Sequence, residues 1–460
     1  MSALSWVKLL TPLRQRPTTA PEGHRNAFEQ DYDRIVGSSS VRRLQDKAQV
    51  FPLQENDFTR TRLTHSIEVS AVAKSLGKAV GRKIQEQDTS FMGTDTEKLT
   101  ALLQTVGLIH DLGNPPFGHY GETIIREWFK SFMEGQGSSI SLTEEQKKDF
   151  LHFDGNVQDL RIVAKLQMLN DEFGVGFTYA TLASLMKYPW SSSTTPVAGK
   201  YGYYLSESKL VHDIWEATGL SEGIRHPATF LLEAADDIVY ICDDIEDGVK
   251  KELIDWPPLL QKIRNDFSGE FYSPMFERFD KISSKMRYDI PEHTLASVLN
   301  FKNIAQGFMF NYAVENFMQN YTAIMDGHFG IKELLKIGEI ERLHKYLKDI
   351  AKEHCFNSRE VITLELIGDT VIKGLFNFFI QAMFKEVDEN SAKKYEEKLY
   401  ILISSNFKYI AKFDYDKGEV RSFSQLSTYE KMQLVTDYIS GMTDSYAVKL
   451  YRELTGTKLP

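Results

Sequence analysis

The chain has 460 residues, with 54 lysines and arginines against 64 aspartates and glutamates, which gives a formal net charge of −10. This acidic balance argues against a protein that coats nucleic acid by bulk charge. Two cysteines are too few for a disulfide framework or for a zinc site built on thiolates. No apolar run approaches the roughly 20 residues of a transmembrane helix, and the N-terminus lacks the long apolar stretch of a signal peptide. We therefore expect a cytoplasmic enzyme or binding protein with no membrane partner.

Helical periodicity of apolar residues runs through most of the chain and predicts a mainly α fold. Residues 1–30 carry prolines and turn formers and predict an N-terminal arm. Residues 31–330 are expected to form a catalytic body, and residues 331–460 a helical C-terminal portion packed on it. Loop signals fall at 87–96, 134–141 and 189–203, the last long enough to be a mobile flap. The predicted helices cover residues 61–86, 97–110, 226–252, 292–325, 331–352, 358–385, 390–405 and 428–454.

Histidines and aspartates recur in three separate helical segments. His65 lies in RTRLTHSIEV, His110 and Asp111 are adjacent in GLIHDLGNPP, and the pair Asp236 and Asp237 lies in LLEAADDIVYI. Each feature has an ordinary structural interpretation as a core histidine, a chance dipeptide or a pair of acids in an early helical turn. Together they favour a metal site, because an acidic pair in an apolar helix is costly to bury without a cation. Imidazoles and carboxylates without thiols suit Mn²⁺, Mg²⁺, Fe²⁺ or Zn²⁺.

Two further spacings indicate catalytic and sugar-binding chemistry. His119 and Glu122 are three residues apart, so on a helix the carboxylate can hold the imidazole as a general acid or base. The alternative is a capping histidine and a solvated acid. Tyr240 and Asp244 follow Asp236 by four and eight residues, which places all three on one helix face. Such a face can line a slot for a sugar, or it can be a half-buried tyrosine and a surface acid.

Charge is unevenly distributed along the chain. Residues 34–62 hold six basic and three acidic residues, whereas residues 233–247 hold seven acids and no lysine or arginine. The sequence therefore predicts a cation-binding wall opposite a phosphate-binding one. Arg62, one helical turn before the first candidate metal histidine, suits bidentate phosphate binding. Lys187 ends the segment TLASLMKYP, where it could bind another phosphate or neutralise a helix C-terminus.

Six segments of the chain together resemble one enzyme family. They are FEQDYDRIVGSSSVRRLQDKAQVFPLQENDFTRTRLTHSIEV, GLIHDLGNPPFGHYGE, HFDGNVQDLRI, TYATLASLMKYP, RHPATFLLEAADDIVYICDDIEDG and DYISGMTDSYAVKLY. They are similar to segments of the bacterial deoxyguanosinetriphosphate triphosphohydrolases, a branch of the HD metal-dependent phosphohydrolases. The resemblance runs from about residue 25 to 250 and returns near 437–451, whereas 255–430 matches no family segment. It implies an HD-domain helical fold with additional C-terminal helices, and hydrolysis of deoxynucleoside triphosphates, dGTP among them, to the deoxynucleoside and inorganic triphosphate.

The resemblance also implies a role for each motif residue. The implied metal ligands are His65, His110, Asp111 and Asp236, and the implied catalytic pair is His119 and Glu122. The implied substrate contacts are Gln49, Val50, Arg62, Asn114, Asn156, Lys187, Tyr188, Tyr240 and Asp244. Asp236 is preferred to Asp237 because Tyr240 and Asp244 then have the spacing of the family's sugar contacts. Gln49 and Val50 would crowd a 2′-hydroxyl, so ribonucleotides should be rejected. Near residues 300–317 no arginine is present, and Lys302 is the nearest basic residue.

The expected cofactor is Mn²⁺ or Mg²⁺, with Fe²⁺, Ni²⁺ or Zn²⁺ as alternative occupants. The resemblance further implies a homo-oligomer, with a hexamer favoured, and a nucleotide effector or single-stranded DNA as additional partners. Two other functions share parts of the pattern. A 5′-nucleotidase or nucleotide phosphodiesterase would use the same metal ligands, although the segment GNPPFGHYGE argues against both. A non-catalytic nucleotide sensor or single-stranded DNA binder would keep the fold, although an intact His119 and Glu122 argue against it.

Overall fold

The fold is described from a computed structural model, in residues 4–16, 23–49, 60–136, 140–167, 171–286, 292–356 and 358–457. In these residues the fold is mainly α, as predicted, and the sheet is a two-stranded antiparallel hairpin of β1 (Phe413–Asp414) and β2 (Glu419–Val420). The first helices are α1 (Trp6–Leu9), α2 (Ala27–Val36), α3 (Ser39–Arg43), α4 (Arg62–Gln87), α5 (Gly93–Ile109), α6 (Gly118–Gln136), α7 (Glu144–Leu151), α8 (Gly155–Arg161), α9 (Tyr179–Leu185), α10 (Ser208–Thr218) and α11 (Pro227–Lys250). The later helices are α12 (Trp256–Asp266), α13 (Ser273–Ser283), α14 (His293–Gln319), α15 (Tyr321–Met325), α16 (Ile340–Ala351), α17 (Arg359–Met383), α18 (Tyr395–Leu402), α19 (Ser405–Lys412), α20 (Thr428–Ser440) and α21 (Asp444–Leu454). None of the described helices combines the length and the apolarity that crossing a bilayer requires.

Helices α4 and α5 pack side by side along most of their length, inside the residue range predicted to form the catalytic body. Their close approach depends on glycine, because a Cβ added at Gly107 would lie 2.8 Å from the Cα of Ser70. Helix α11 packs across both of them and against α14. The start of α4, the end of α5 and the middle of α11 therefore converge, and these are the three places that carry the predicted metal ligands.

Helix α11 is buried along almost its whole length, although it carries seven acids. It begins where the sequence predicts a helix, because the His226 side chain accepts a hydrogen bond from the backbone N–H of Ala228 and Pro227 occupies the first turn. Burial of so many acids in one helix requires counterions from neighbouring elements.

Two basic residues supply those counterions at the C-terminal half of α11. The Arg60 guanidinium lies 3.1 Å from Asp243 and 2.5 Å from both Glu246 and Asp247. The Lys302 ammonium lies 2.5 Å from Asp243 and 3.1 Å from Glu246. The Lys250 ammonium lies 2.5 Å from Glu246 as well, so three cations of the chain meet these three acids. Asp243, Glu246 and Asp247 are therefore not part of the predicted cation-binding wall. Lys302, the basic residue expected nearest the phosphate, is engaged in this ion-pair cluster.

The described part of the predicted N-terminal arm packs on the body. The indole Nε1 of Trp6 donates a hydrogen bond to the hydroxyl of Tyr321, with a distance of 2.8 Å. Farther along, the Arg14 guanidinium forms an ion pair with the buried carboxylate of Asp31. The segment 4–16 is thus held by both the body and the helices after it.

Four predicted helices have different bounds from those expected. The helix predicted at 292–325 is divided into α14 and α15, and the one predicted at 390–405 covers only Tyr395–Leu402. The helix predicted at 331–352 forms only from residue 340, because Gly338 adopts a φ of 71°, a left-handed conformation that stops a helix. The helix predicted at 428–454 is two helices, α20 and α21. The break arises because Thr443 starts a new helix, its side chain accepting a hydrogen bond from the N–H of Tyr446.

A buried ion-pair network joins α20 to the catalytic body. The Arg161 guanidinium donates to both oxygens of Asp437 at 2.7 Å and to Glu207 at 2.7 Å. Gln158 donates to the same oxygen of Asp437 at 3.0 Å. All four side chains are buried, so the network fixes the C-terminal portion against α8. The boundary expected near residue 330 between body and C-terminal portion stays a prediction.

We expect Asp437→Asn to lower the free energy of unfolding by about 3–5 kcal/mol, because Arg161 would remain buried with half of its counterions removed. Urea unfolding followed by circular dichroism measures this loss. The matched control is Asp416→Asn, whose exposed ion pair with Lys209 should contribute less than about 1 kcal/mol. Equal losses in the two variants would contradict a structural role for the network.

Candidate metal centre and active site

The four predicted metal ligands come together at the junction of α4, α5 and α11. The Nε2 of His65 lies 3.1 Å from Oδ1 of Asp236, and the Nε2 of His110 lies 3.5 Å from the same oxygen. The Nε2 of His110 also lies 3.8 Å from Oδ1 of Asp111. Asp237 faces away from this cluster, with its carboxylate 3.0 Å from Nε2 of His344. The geometry thus places Asp236, rather than its neighbour, beside the histidines.

Hydrogen bonds to neighbouring groups orient these metal-ligand side chains. The Nδ1–H of His110 donates to the carbonyl of Gly107 at 2.9 Å, which turns the lone pair of Nε2 toward the cluster. The carboxylate of Asp111 accepts from the Arg62 guanidinium at 2.7 Å and from the Asn114 amide at 2.6 Å. Arg62 and Asn114, both predicted as phosphate contacts, therefore also hold a candidate metal ligand in place.

The donor set fits a divalent cation. Two imidazoles and two carboxylates meet, and the buried Nε2 of His110 has no hydrogen-bond partner among the described residues. Burial opposes protonation of His110, but Asp111 and Asp236 raise its pKa to about 9, so the cluster attracts positive charge. Four protein donors are fewer than the full octahedral set that Mg²⁺ prefers, which leaves positions for water or substrate oxygens.

His119 and Glu122 form a pair in the first turn of α6. The Nδ1 of His119 lies 3.5 Å from Oε2 of Glu122, and the other oxygen of Glu122 accepts the backbone N–H of Gly155 at 2.8 Å. The His119 side chain is 80% exposed, whereas that of Glu122 is 4% exposed. The hydrogen bond with Glu122 raises the pKa of His119 against the opposing effect of its surroundings. The Nδ1 of His119 is thus engaged by Glu122, while most of the imidazole surface is exposed.

The turn that precedes His119 has an unusual backbone. Phe117 and Gly118 have φ values of 63° and 60°, and a Cβ at Gly118 would lie 2.7 Å from the Arg62 guanidinium. The carboxylate of Asp444 supports this turn by accepting the N–H of Phe117 at 2.9 Å. Its other oxygen accepts the N–H of Ala48 at 3.0 Å. Asp444, which sequence reasoning did not select, thus braces both the turn before the candidate acid–base pair and the strand-like segment that leads to Gln49.

The predicted sugar contacts lie on α11 and on the segment after α3. Tyr240 is half-buried, with the Lys348 ammonium 5.4 Å from the centre of its ring. Asp244 is buried, and burial together with neighbouring carboxylates raises its pKa well above the ordinary value. The side-chain oxygen of Gln49 is buried without a hydrogen-bond partner among the described residues. Val50 lies outside the described residues.

Two basic residues, Lys187 and Arg225, contact Glu233 near the start of α11. These three residues are called the second wall of the site below. Lys187 lies 3.0 Å from one oxygen of Glu233, and Arg225 lies 2.7 Å from the other. The Arg225 guanidinium also lies over the ring of Tyr188, 5.7 Å from its centre. Glu333 and Asp237 also act on Lys187, so these two cations lie among acids and hold Glu233 between them. Arg225 was not selected from the sequence, although its position in RHPATF directly before α11 is a usable signal.

The remaining predicted contact, Asn156, lies at the start of α8. Its side-chain amide donates to Asp154 at 2.6 Å, and Asp154 caps the helix. Lys200, from the segment predicted as a flap, forms an ion pair with the same carboxylate. That segment is therefore anchored beside the site, and Lys200 is a second cation that sequence reasoning missed.

The chain is similar to proteins of one family along almost its whole length. The HD domain model matches residues 62–167, and the phosphohydrolase-associated domain model matches residues 416–453. A deoxyguanosinetriphosphate triphosphohydrolase-like protein of Listeria monocytogenes is 38% identical over 98% of this chain and 100% of its own length. A protein of the same name from Pseudomonas aeruginosa is 32% identical over 99% of this chain and 100% of its own length. The deoxyguanosinetriphosphate triphosphohydrolase of Salmonella paratyphi A is 31% identical over 93% of each chain. The chain therefore belongs to the deoxyguanosinetriphosphate triphosphohydrolase family of HD-domain proteins.

Proposed function

We propose that this protein hydrolyses deoxynucleoside triphosphates, dGTP among them, at the α-phosphate, and releases the deoxynucleoside and inorganic triphosphate. The observation that carries the proposal is a cluster of two histidines and two aspartates, His65, His110, Asp111 and Asp236. The His119–Glu122 pair follows the end of α5 after the turn at Phe117, which Asp444 supports. The names of the relatives support the substrate class.

We propose Mn²⁺ or Mg²⁺ as the occupant of the cluster, with His65, His110, Asp111 and Asp236 as its ligands. A divalent cation bound there supplies positive charge to a phosphate oxygen and makes water more acidic. Arg62 holds Asp111 with one nitrogen, while its buried Nε has no partner among the described residues and remains available to a phosphate. Lys187 and Arg225 add charge at the second wall.

His119 is the proposed general acid or base. Its Nδ1 is held by Glu122, so its Nε2 is the atom that gives a proton to the departing 5′-oxygen or takes one from the attacking water. Glu122 is itself fixed by the N–H of Gly155, which prevents the pair from rotating away from the site. The imidazole therefore acts from a defined direction.

Tyr240, Asp244 and Gln49 are the proposed sugar contacts. The ring of Tyr240 can pack on the deoxyribose. Because burial and neighbouring acids raise the pKa of Asp244, its carboxyl can donate a hydrogen bond to a sugar oxygen as well as accept one. Gln49, with its buried unpartnered oxygen, can accept from the 3′-hydroxyl. Homo-oligomer formation and a response to nucleotides or single-stranded DNA stay predictions of the family resemblance. Cytoplasmic location stays a prediction from the sequence composition.

The test is a product analysis. The protein is incubated with each deoxynucleoside triphosphate, with GTP and with ATP, in Mn²⁺ or Mg²⁺, and the phosphorus products are identified by ³¹P NMR. We expect tripolyphosphate and the deoxynucleoside from at least one deoxynucleotide and little turnover of the ribonucleotides. Orthophosphate would favour a nucleotidase, diester cleavage a phosphodiesterase, and nucleotide binding without turnover a sensor; each of these would overturn the proposal.

Removing the Asp444 brace is expected to slow turnover while the metal stays bound. Asp444→Ala frees the turn at Phe117, and displacement of His119 by about 1 Å can cost about a hundredfold in kcat. Initial rates and metal content by mass spectrometry measure the two effects. The neighbouring variant Ser445→Ala, which loses only an exposed hydrogen bond to Asp46, is the control and should keep its rate. Unchanged kcat in Asp444→Ala would contradict the positioning role.

A further inference from the structure

Arg43, at the end of α3, is a half-buried arginine without an ion pair or a hydrogen bond among the described residues. Other buried arginines of the body have counterions, as Arg14 has Asp31 and Arg161 has Asp437 and Glu207. Burial lowers the pKa of Arg43, as expected for a cation that leaves water without gaining an anion. Its side chain is therefore a cation without a counterion among the described residues.

Arg43 opens into a cavity of about 350 Å³ between α3, α18, α19 and the α20–α21 junction. Among the residues that the structure describes, no aspartate or glutamate lines the cavity. The hydroxyls of Tyr438 and Tyr446 lie 3.2 Å apart on its wall. The lining side chains that matter to recognition are Arg43, Leu402, Ser404, Phe407, Thr443 and Tyr446.

The nearest carboxylates are already engaged elsewhere. Asp437, which lines a small cavity adjoining Arg43, gives both oxygens to Arg161. Asp444 gives one oxygen to the N–H of Phe117 and the other to that of Ala48. The described part of the chain thus supplies no anion for Arg43, and one from solution can bind there.

We propose that this cavity binds a small phosphate monoester with an aromatic or apolar body, with Arg43 as its phosphate partner. The guanidinium fork matches phosphate oxygens, and the surrounding hydroxyls of Ser404, Thr443 and Tyr446 can donate to the others. Phe407 and Leu402 supply apolar contact for the organic group. The volume suits a small ligand.

The site differs from the catalytic site in place and in charge. None of its lining residues is a candidate metal ligand or substrate contact. A single cation matches a monoester better than the highly charged triphosphate of a nucleotide. Thr443 directly precedes Asp444, and Lys47, four residues after Arg43, donates to the carbonyl of Asn114. A bound monoester would therefore touch both segments that support the active-site turn.

Phenyl phosphate is the probe, titrated calorimetrically into the full-length protein in EDTA so that the metal centre does not compete. We expect binding by wild type, and a loss of at least about tenfold in affinity in Arg43→Gln. The variant Leu402→Trp is designed to fill the cavity while leaving Arg43 intact, and it should lose binding to the same extent. It is the control for a folding defect in Arg43→Gln. Both variants should hydrolyse dGTP at the wild-type rate if the proposed function holds. Arg62→Gln, altered in the catalytic site, should bind phenyl phosphate normally.

The proposal is overturned if wild type does not bind at millimolar concentration, or if binding is lost in Arg62→Gln and kept in Arg43→Gln. Benzoate binding more tightly than phenyl phosphate would overturn the phosphate assignment. If inorganic triphosphate displaced phenyl phosphate from wild type but not from Arg62→Gln, phenyl phosphate would be bound in the catalytic site. That result would also overturn the proposal. Because calorimetry in EDTA does not require turnover, its outcome is separate from that of the proposed function.

Discussion

Replacing His110 with alanine is expected to remove the divalent cation and to lower kcat/KM for dGTP by about a thousandfold or more. A cation at the scissile phosphate contributes several kcal/mol to the transition state, and each ~1.4 kcal/mol corresponds to a factor of ten. His110 is central because its Nε2 lies near both Asp111 and Asp236. Metal content after dialysis, measured by mass spectrometry, and initial rates should fall together.

His212→Ala is the matched control for that experiment. His212 is exposed on α10, so its loss should leave metal content and rate unchanged. A His110→Ala protein that keeps one cation per chain and the wild-type rate would show that the cluster is not the metal centre.

Replacing His119 with alanine is expected to lower kcat by about 10²–10⁴-fold, the usual contribution of a general acid or base, while the metal content stays unchanged. His119 contacts Glu122 and is not among the residues grouped as the metal cluster, so its loss should spare the cation. Loss of metal together with activity would instead indicate a structural role.

The variant Glu122→Gln tests the same pair through the pH dependence of the hydrolysis rate. Because the carboxylate raises the pKa of His119, its removal should move the corresponding limb of the pH–rate profile to lower pH. If His119 donates a proton, activity falls as pH rises through this pKa; if His119 accepts one, activity rises. Glu127→Gln, the same change at an exposed position of α6, is the control and should leave the limb in place. A limb that does not move in Glu122→Gln would remove His119 from the rate-determining proton transfer.

Residues that act through local spacing could be predicted from the sequence. The helices that carry His65 and Asp236 were predicted within a residue or two of their observed bounds. The four- and eight-residue spacings to Tyr240 and Asp244 favoured Asp236 over its neighbour, and in the structure Asp236 faces the histidines. Periodicity places the three residues on one helix face, whereas the preference for Asp236 rests on the resemblance to the family's spacing.

Contacts between distant segments could not be predicted in this way. Asp444 binds Phe117 across 327 positions, and Arg161 binds Asp437 across 276. The residues around a single carboxylate in the sequence do not indicate which distant group it will contact in the fold. The pairing of Arg60 with α11 shows the same limit, since a net charge counted along the chain does not reveal that the basic and acidic segments neutralise each other in space.

The most direct test of the proposed reaction is hydrolysis of dGTP in ¹⁸O-labelled water, with both products analysed by mass spectrometry. Attack of water on the α-phosphorus forms a new phosphorus–oxygen bond and breaks the bond to the 5′-oxygen. We therefore predict a single ¹⁸O atom in inorganic triphosphate and none in deoxyguanosine. Label in deoxyguanosine, or in orthophosphate or pyrophosphate released as the first product, would contradict α-phosphate hydrolysis by this site.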